Sequence, residues 1–136
     1  MLSNQQVDIL RAAFNRIIPP DDFPGGWEAG VGDYLFRQFD RDLKGMIETY
    51  AHGLDALDAE AQAVYGSGFA QLNADAQDSL LSQIESGLVR TEWPLDPTAF
   101  FRILVDHSME GFYSDPDNGG NRNTVSWTMI GFEVTG

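Results

Sequence analysis

The sequence predicts an all-α domain of about five helices, followed by a C-terminal segment of different character. Three observations predict it. Apolar residues recur at three- and four-residue spacing in successive stretches of the chain. Helix start signals stand ahead of several of those stretches, at Ser3, Asn73 and Asp96. No convincing period-two alternation appears, and 125–130 is the only run that would pass as a short strand. A chain of 136 residues fits one domain. The expected layout is a single unit over 1–136, with a helical body over about 3–112 and a C-terminal strap over about 113–136.

The first helix has a clear start. Ser3 is placed as the N-cap with Gln6 three residues on, the spacing of a capping box, and Leu2 and Val7 hold the positions of a hydrophobic staple. The helix should therefore begin at residue 4, bury Val7, Leu10, Phe14 and Ile17 or Ile18, and end at Pro19-Pro20. Asp21-Asp22-Phe23-Pro24-Gly25-Gly26 reads as a turn-rich loop whose two acids offer too few oxygens for a hard cation. A second helix is expected from Ala29 or Gly32 to Asp40, with Val31, Leu35 and Phe39 on its stripe. Tyr34 and Phe36 fall off that stripe, so the helix either packs on two sides or keeps apolar surface for a partner.

A long third helix is predicted from Gly45 to Val64, where Ile47, Tyr50, Leu54, Leu57, Ala61 and Val64 make a continuous seam. Residues 45–89 contain seven acids and no lysine or arginine: Glu48, Asp55, Asp58, Glu60, Asp75, Asp78 and Glu85. They are expected to form one solvated acidic face. Gly66-Ser67-Gly68 breaks the helix, and Asn73 caps a fourth whose stripe is Leu80, Leu81, Ile84 and Leu88, with Gly87 weakening the last turn. Thr91-Glu92-Trp93-Pro94-Leu95 is an extended link. The fifth helix has the strongest start, with Asp96 as N-cap, Pro97 at the first helical position and Leu95 stapled to Phe100. Phe100, Phe101, Ile103, Leu104, Val105, Met109 and Phe112 put apolar residues on most of its faces, which predicts a central position.

Composition narrows the function classes. Hydrophobic residues make up 43% and aromatics 12%, too apolar for a disordered chain, yet no run approaches a membrane span. Eight basic against twenty-one acidic residues give a net charge of -13, which argues against nucleic acid or anionic lipid as a partner. The absence of cysteine removes disulfides, thiolate nucleophiles, iron–sulfur ligation and Cys-based zinc sites. Met1-Leu2-Ser3-Asn4 runs into a helix with no basic and apolar leader between, so the expected compartment is the cytoplasm. The alternative is the periplasm, if Met1 is not native or a partner carries the export signal.

No catalytic, cofactor-binding or metal-binding set stands out. His52 and His107 are the only histidines, 55 positions apart, without a partner at metal-ligand spacing. His107 is expected to be a core histidine hydrogen-bonded to the following loop, with a general base as the other reading. Asp115-Pro116-Asp117-Asn118-Gly119-Gly120 fails as a calcium loop. Counting from Asp115 places Gly119 at the fifth ligand position and Ser126 at the twelfth, where oxygen ligands are required. Gly119-Gly120-Asn121-Arg122 lacks the spacing of a phosphate-binding loop.

The last quarter is the most distinctive. Turn formers from Ser114 to Asn121 alternate with Phe112, Tyr113, Trp127, Met129, Ile130 and Phe132, a mixture that a disordered tail should lack. It is expected to be an ordered strap. Its candidate partner-interface residues are Phe112, Tyr113, Asp115, Asn118, Gly119, Gly120, Asn121, Arg122, Trp127 and Phe132, since aromatics and arginine dominate interface anchors.

Phe112-Tyr113-Ser114-Asp115-Pro116, then Gly119-Gly120-Asn121-Arg122, then Trp127 with Ile130-Gly131-Phe132, resembles the C-terminal signature of the small third (gamma) subunit of bacterial FAD-dependent gluconate 2-dehydrogenase. Leu2-Ser3, Arg16-Ile17-Ile18-Pro19, Glu28-Ala29-Gly30-Val31, Gly53-Leu54-Asp55-Ala56-Leu57-Asp58, Phe69-Ala70-Gln71-Leu72 and Phe100-Phe101 extend the likeness over nearly the whole chain. Family members with a twin-arginine signal carry it ahead of the Leu-Ser start, whereas Met1 alone stands there in this sequence. The resemblance implies an auxiliary subunit that binds, stabilises or helps fold a large FAD-dependent subunit of the glucose-methanol-choline type. That partner would oxidise a sugar, sugar acid or glycoside and hold the FAD, with an electron-accepting cytochrome as a further component. Two other readings stay open: an autonomous small-molecule-binding helical domain, and a small enzyme using His107 with Asp115 or Asp117.

Overall fold

A computed structural model of the chain describes residues 2–18, 27, 30–41 and 44–112. These form five α-helices: α1 (Asn4–Ile17), α2 (Val31–Phe39), α3 (Ile47–Tyr65), α4 (Ala74–Glu85) and α5 (Pro97–Phe112). Short 3-10 turns at Lys44–Met46 and Phe69–Gln71 precede α3 and α4. The all-α prediction holds, with no strand among the described residues. The strand candidate at 125–130 and the loop acids Asp21 and Asp22 lie outside them.

The start signals act as chemistry requires. Ser3 Oγ accepts from the Gln6 amide at 3.1 Å while the Ser3 amide donates to Gln6 Oε1 at 2.8 Å, which closes the capping box. Asn73 Oδ1 accepts from the Ala76 amide at 2.8 Å, and Asp96 Oδ1 from the Thr98 amide at 3.1 Å. These caps fix where α1, α4 and α5 begin, whereas α2 and α3 start without a side-chain cap.

α5 packs against α1, α2 and α4, and its Phe100 also meets α3, so the predicted central position is observed. At the α3–α5 crossing, Gly53 lies so close to the Phe100 ring that a Cβ there would collide with it. The α1 stripe is wider than spacing suggested. Ile9, Leu10, Ala13 and Phe14 are buried and Val7 and Ile17 only half so, because α1 is covered on one side by α3 and on the other by α4 and α5. α2 packs on two sides: Phe36 meets Trp27 and Phe39, and Tyr34 lies against Gly111 of α5. Edge-on and tilted ring contacts then continue from Phe39 to Tyr50, Phe100 and Trp93, with centroids 5.4 to 6.3 Å apart, tying α2, α3, α5 and the 90–95 link together.

Two readings of the α3–α4 region need correction. Leu88 is not on the α4 stripe; it is 68% exposed. α4 ends at Glu85 because Gly87, at φ 77°, takes the left-handed position of a helix stop. The Leu88 amide donates to Gln83 O at 2.8 Å and the Gly87 amide to Ile84 O at 3.0 Å, so the glycine terminates the helix rather than weakening it.

The acids of 45–89 are not one solvated face either. Glu60 is fully buried. Its Oε2 accepts from the Arg90 amide at 2.6 Å, and Oε1 accepts from Thr91 Oγ1 at 2.6 Å, the Thr91 amide at 3.1 Å and Trp93 Nε1 at 3.2 Å. Asp58 accepts from the Phe69 amide at 2.9 Å, and Asp78 forms a two-pronged pair with Arg16. The acids hold neighbouring segments in place, and residue spacing alone did not expose that use.

Burial raises the Glu60 pKa, but the Thr91 hydroxyl, the Arg90 and Thr91 amides and the Trp93 indole together outweigh it and leave the pKa lowered. Its stabilising contribution is therefore present above the ordinary carboxylate range and lost as pH falls through the depressed value. Glu60→Gln, which turns one acceptor oxygen into a donor facing N–H groups, should cost about 1–3 kcal/mol. Urea denaturation should show that loss at neutral pH and a smaller difference from the parent in acid.

Candidate functional site

Of the ten candidate interface residues, the described part of the chain contains Phe112 alone. Its ring is fully buried in the common core, on the last turn of α5. Tyr113, Asp115, Asn118, Gly119, Gly120, Asn121, Arg122, Trp127 and Phe132 lie outside the described residues.

The two histidines occupy different settings. His52 is exposed on α3, at a shallow hollow with Asp55, Glu92 and Pro94. His107 is buried on α5, and its Nδ1 lies 2.6 Å from the Tyr50 hydroxyl. The expectation of a core histidine holds, and its partner among the described residues is a tyrosine of α3; the following loop lies outside them. The rings of Tyr50 and His107 stack, with centroids 5.6 Å apart and planes 20° apart.

Desolvation pushes the Tyr50 pKa well up, reinforced by the charges of Glu110 and Asp106, so the phenol keeps its proton. Desolvation lowers the His107 pKa against the opposing pull of the same two carboxylates. A neutral imidazole with its proton assigned to Nε2 accepts the phenol proton's hydrogen bond at Nδ1. Among the described residues no three His, Asp or Glu side chains converge as a metal site.

A surface groove is the feature sequence reasoning missed. It has a volume of about 310 Å³ and lies between α1, α4 and α5, lined by Arg16, Ile17, Asp78, Leu81, Ser82, Glu85, Phe101, Val105 and Met109. The sequence signal was present: Phe101, Val105 and Met109 stand at i, i+4 and i+8, one position round from the buried Phe100, Leu104 and Ser108. One face of the central helix is thus left partly open. Arg16 lines the groove, with Nε 2.8 Å from Asp78 Oδ1 and Nη2 2.9 Å from Oδ2. Hydrogen bonding to Asp78 raises the Arg16 pKa, so the guanidinium keeps its charge. Half-exposed apolar side chains beside carboxylates and a guanidinium suit recognition of a peptide surface.

The buried pair gives a test. Removing the phenol oxygen with Tyr50→Phe leaves Nδ1 unsatisfied and should cost about 1–3 kcal/mol. With a lowered folded pKa, His107 stays neutral while the unfolded chain's histidine protonates below about pH 6.5, so stability falls as pH drops through that range. His107→Leu should flatten that part of the profile in denaturation midpoints taken from about pH 8 to about pH 5.

No curated protein and no solved structure matches the chain. A family model described as gluconate 2-dehydrogenase subunit 3 matches residues 4–135, which takes in all five helices and reaches almost to the C-terminus. The chain belongs to the gluconate 2-dehydrogenase subunit 3 family.

Proposed function

We propose that the chain is a non-catalytic auxiliary subunit that binds and stabilises the large FAD-dependent subunit of a sugar, sugar-acid or glycoside dehydrogenase. The observation that carries this reading is the family match over 4–135. The chemistry of the body supports it. His107 is engaged by Tyr50, Glu60 holds the 90–93 backbone, and Asp78 is taken by Arg16. These groups are spent on structure, and among the described residues no nucleophile and base stand side by side.

In this proposal the partner holds FAD and performs the hydride chemistry, since the sequence has no dinucleotide fingerprint and the described residues offer no strand for a phosphate loop to follow. An electron-accepting cytochrome is a further component. Among the described residues no helix is long and apolar enough to cross a membrane. The cytoplasm is the proposed compartment, and the periplasm is the alternative if the partner carries the export signal. Fractionating cells that express the chain together with the proposed flavoprotein subunit separates the two.

The proposed anchors are Arg122, whose planar fork suits a carboxylate or carbonyls, and the aromatics Trp127 and Phe132. Gly119 and Gly120 allow close backbone approach. Arg122→Ala or Trp127→Ala should leave helical circular dichroism largely unchanged. Each should lower recovery and heat stability of the co-expressed flavoprotein subunit, with a loss of about 2 kcal/mol or more in association. Glu48→Ala, exposed on α3, is the control and should do little. The isolated chain should show no flavin absorbance; bands surviving removal of the partner would refute the non-catalytic reading.

A further inference from the structure

The groove between α1, α4 and α5 does not end at Glu85. A second hollow of about 140 Å³, bordered by Thr98, Arg102 and Asp106, shares Glu85, Phe101 and Val105 with it. Together they form one trench along the outer side of α5. From Phe101 to Met109 the helix rises roughly 12 Å at 1.5 Å per residue, a little over two turns. Phe101, Val105 and Met109 are half-buried along this length, with the better-covered Leu81 also in the lining. Elsewhere in the described body large apolar side chains are mostly covered, with Tyr65 and Leu88 the exposed ones.

The charge around the trench is uneven. Arg16 answers Asp78 directly. Further along, the adjoining hollow is lined by two carboxylates, Glu85 and Asp106, and one guanidinium, Arg102, on a chain whose net charge is -13. A second copy of this chain would bring the same excess of carboxylates to that rim, so self-association there is electrostatically disfavoured. A segment carrying lysine or arginine beside its apolar residues would match both the floor and the rim. Because the trench runs between helices and α5 contributes an i, i+4, i+8 ridge to its lining, the matching shape is another helix laid along it.

We propose that this trench receives a basic amphipathic helix of the large dehydrogenase subunit, two of its apolar side chains set between Phe101, Val105 and Leu81, and a lysine or arginine turned to Glu85. The proposal rests on the auxiliary-subunit reading above and adds a docking site on the helical body, separate from the anchors beyond α5.

The test uses the full chain co-expressed with the large flavoprotein subunit proposed above. Val105→Arg, half-buried and so tolerable to the fold, should leave circular dichroism intact and weaken the purified pair about tenfold or more. Glu85→Lys should weaken it less and flatten its salt dependence. The chain has no cysteine, so Ser82→Cys on the exposed trench wall gives a single attachment point for a benzophenone cross-linker. The cross-link is expected to map to a basic, apolar peptide of the large subunit. A Val105→Arg variant that binds with unchanged affinity overturns the proposal and leaves the auxiliary reading standing. So does a cross-link that maps to residues 113–136 of the same chain or to a second copy. If the parent chain forms no complex at all with that subunit, both fail together.

Discussion

The hydrogen bond between Tyr50 and His107 is the constraint on which the rest of the body depends. A phenol and an imidazole at the centre of a small all-α core are each costly to bury alone, and each supplies the polar partner the other needs. The bond is directional and joins α3 to α5 across the core. Around it Phe39 and Phe100 pack on Tyr50, and Gly53 lets α5 come close enough for Phe100 to reach. α2 is then placed by Phe39 and α1 by the faces of α3 and α5 that remain. Apolar residues alone would have tolerated sliding along such helices; the polar pair selects one arrangement.

The same logic explains the acids. A chain at net charge -13 works against its own compactness unless some carboxylates earn a structural use. Glu60 gathers the amides of Arg90 and Thr91, a hydroxyl and an indole, which fixes the link between α4 and α5 without any secondary structure there. Asp58 holds the 3-10 turn at Phe69, and Asp78 joins α4 to α1 through Arg16. Most such bonds are between segments far apart in sequence, so they define tertiary structure more than helix content.

This difference in range accounts for what could be read from the sequence. The helices, their caps at Ser3, Asn73 and Asp96, the stop at Gly66 and the central place of α5 rest on residues within one or two turns of each other, and all were legible. The partner of His107 and the burial of Glu60 depend on residues 57 and 30 or more positions away, for which a single sequence carries no local signal. Gly87 was misjudged for a subtler reason: a glycine near a helix end reads as a weak turn or as a stop, and only the backbone angle decides. The groove was half legible. The spacing of Phe101, Val105 and Met109 was visible, but many apolar faces on one helix suggest complete burial until the number of neighbouring helices is known. The strap residues from Tyr113 onward fall outside the described part of the chain.

α5 carries two demands that pull in different directions. Its Phe100–Leu104–His107 side must be rigid to hold the core, whereas the ridge one position round is left half-covered at Phe101, Val105 and Met109. Among the described residues α1, α2, α3 and α4 all meet α5, yet its Phe101–Val105–Met109 ridge stays half-covered. Such a body is stable enough to present a surface but gains from having that surface covered, which is the physical situation of a subunit. Binding energy collected there would feed directly into the helix that holds Tyr50, so association at the groove and stability of the core are expected to rise together.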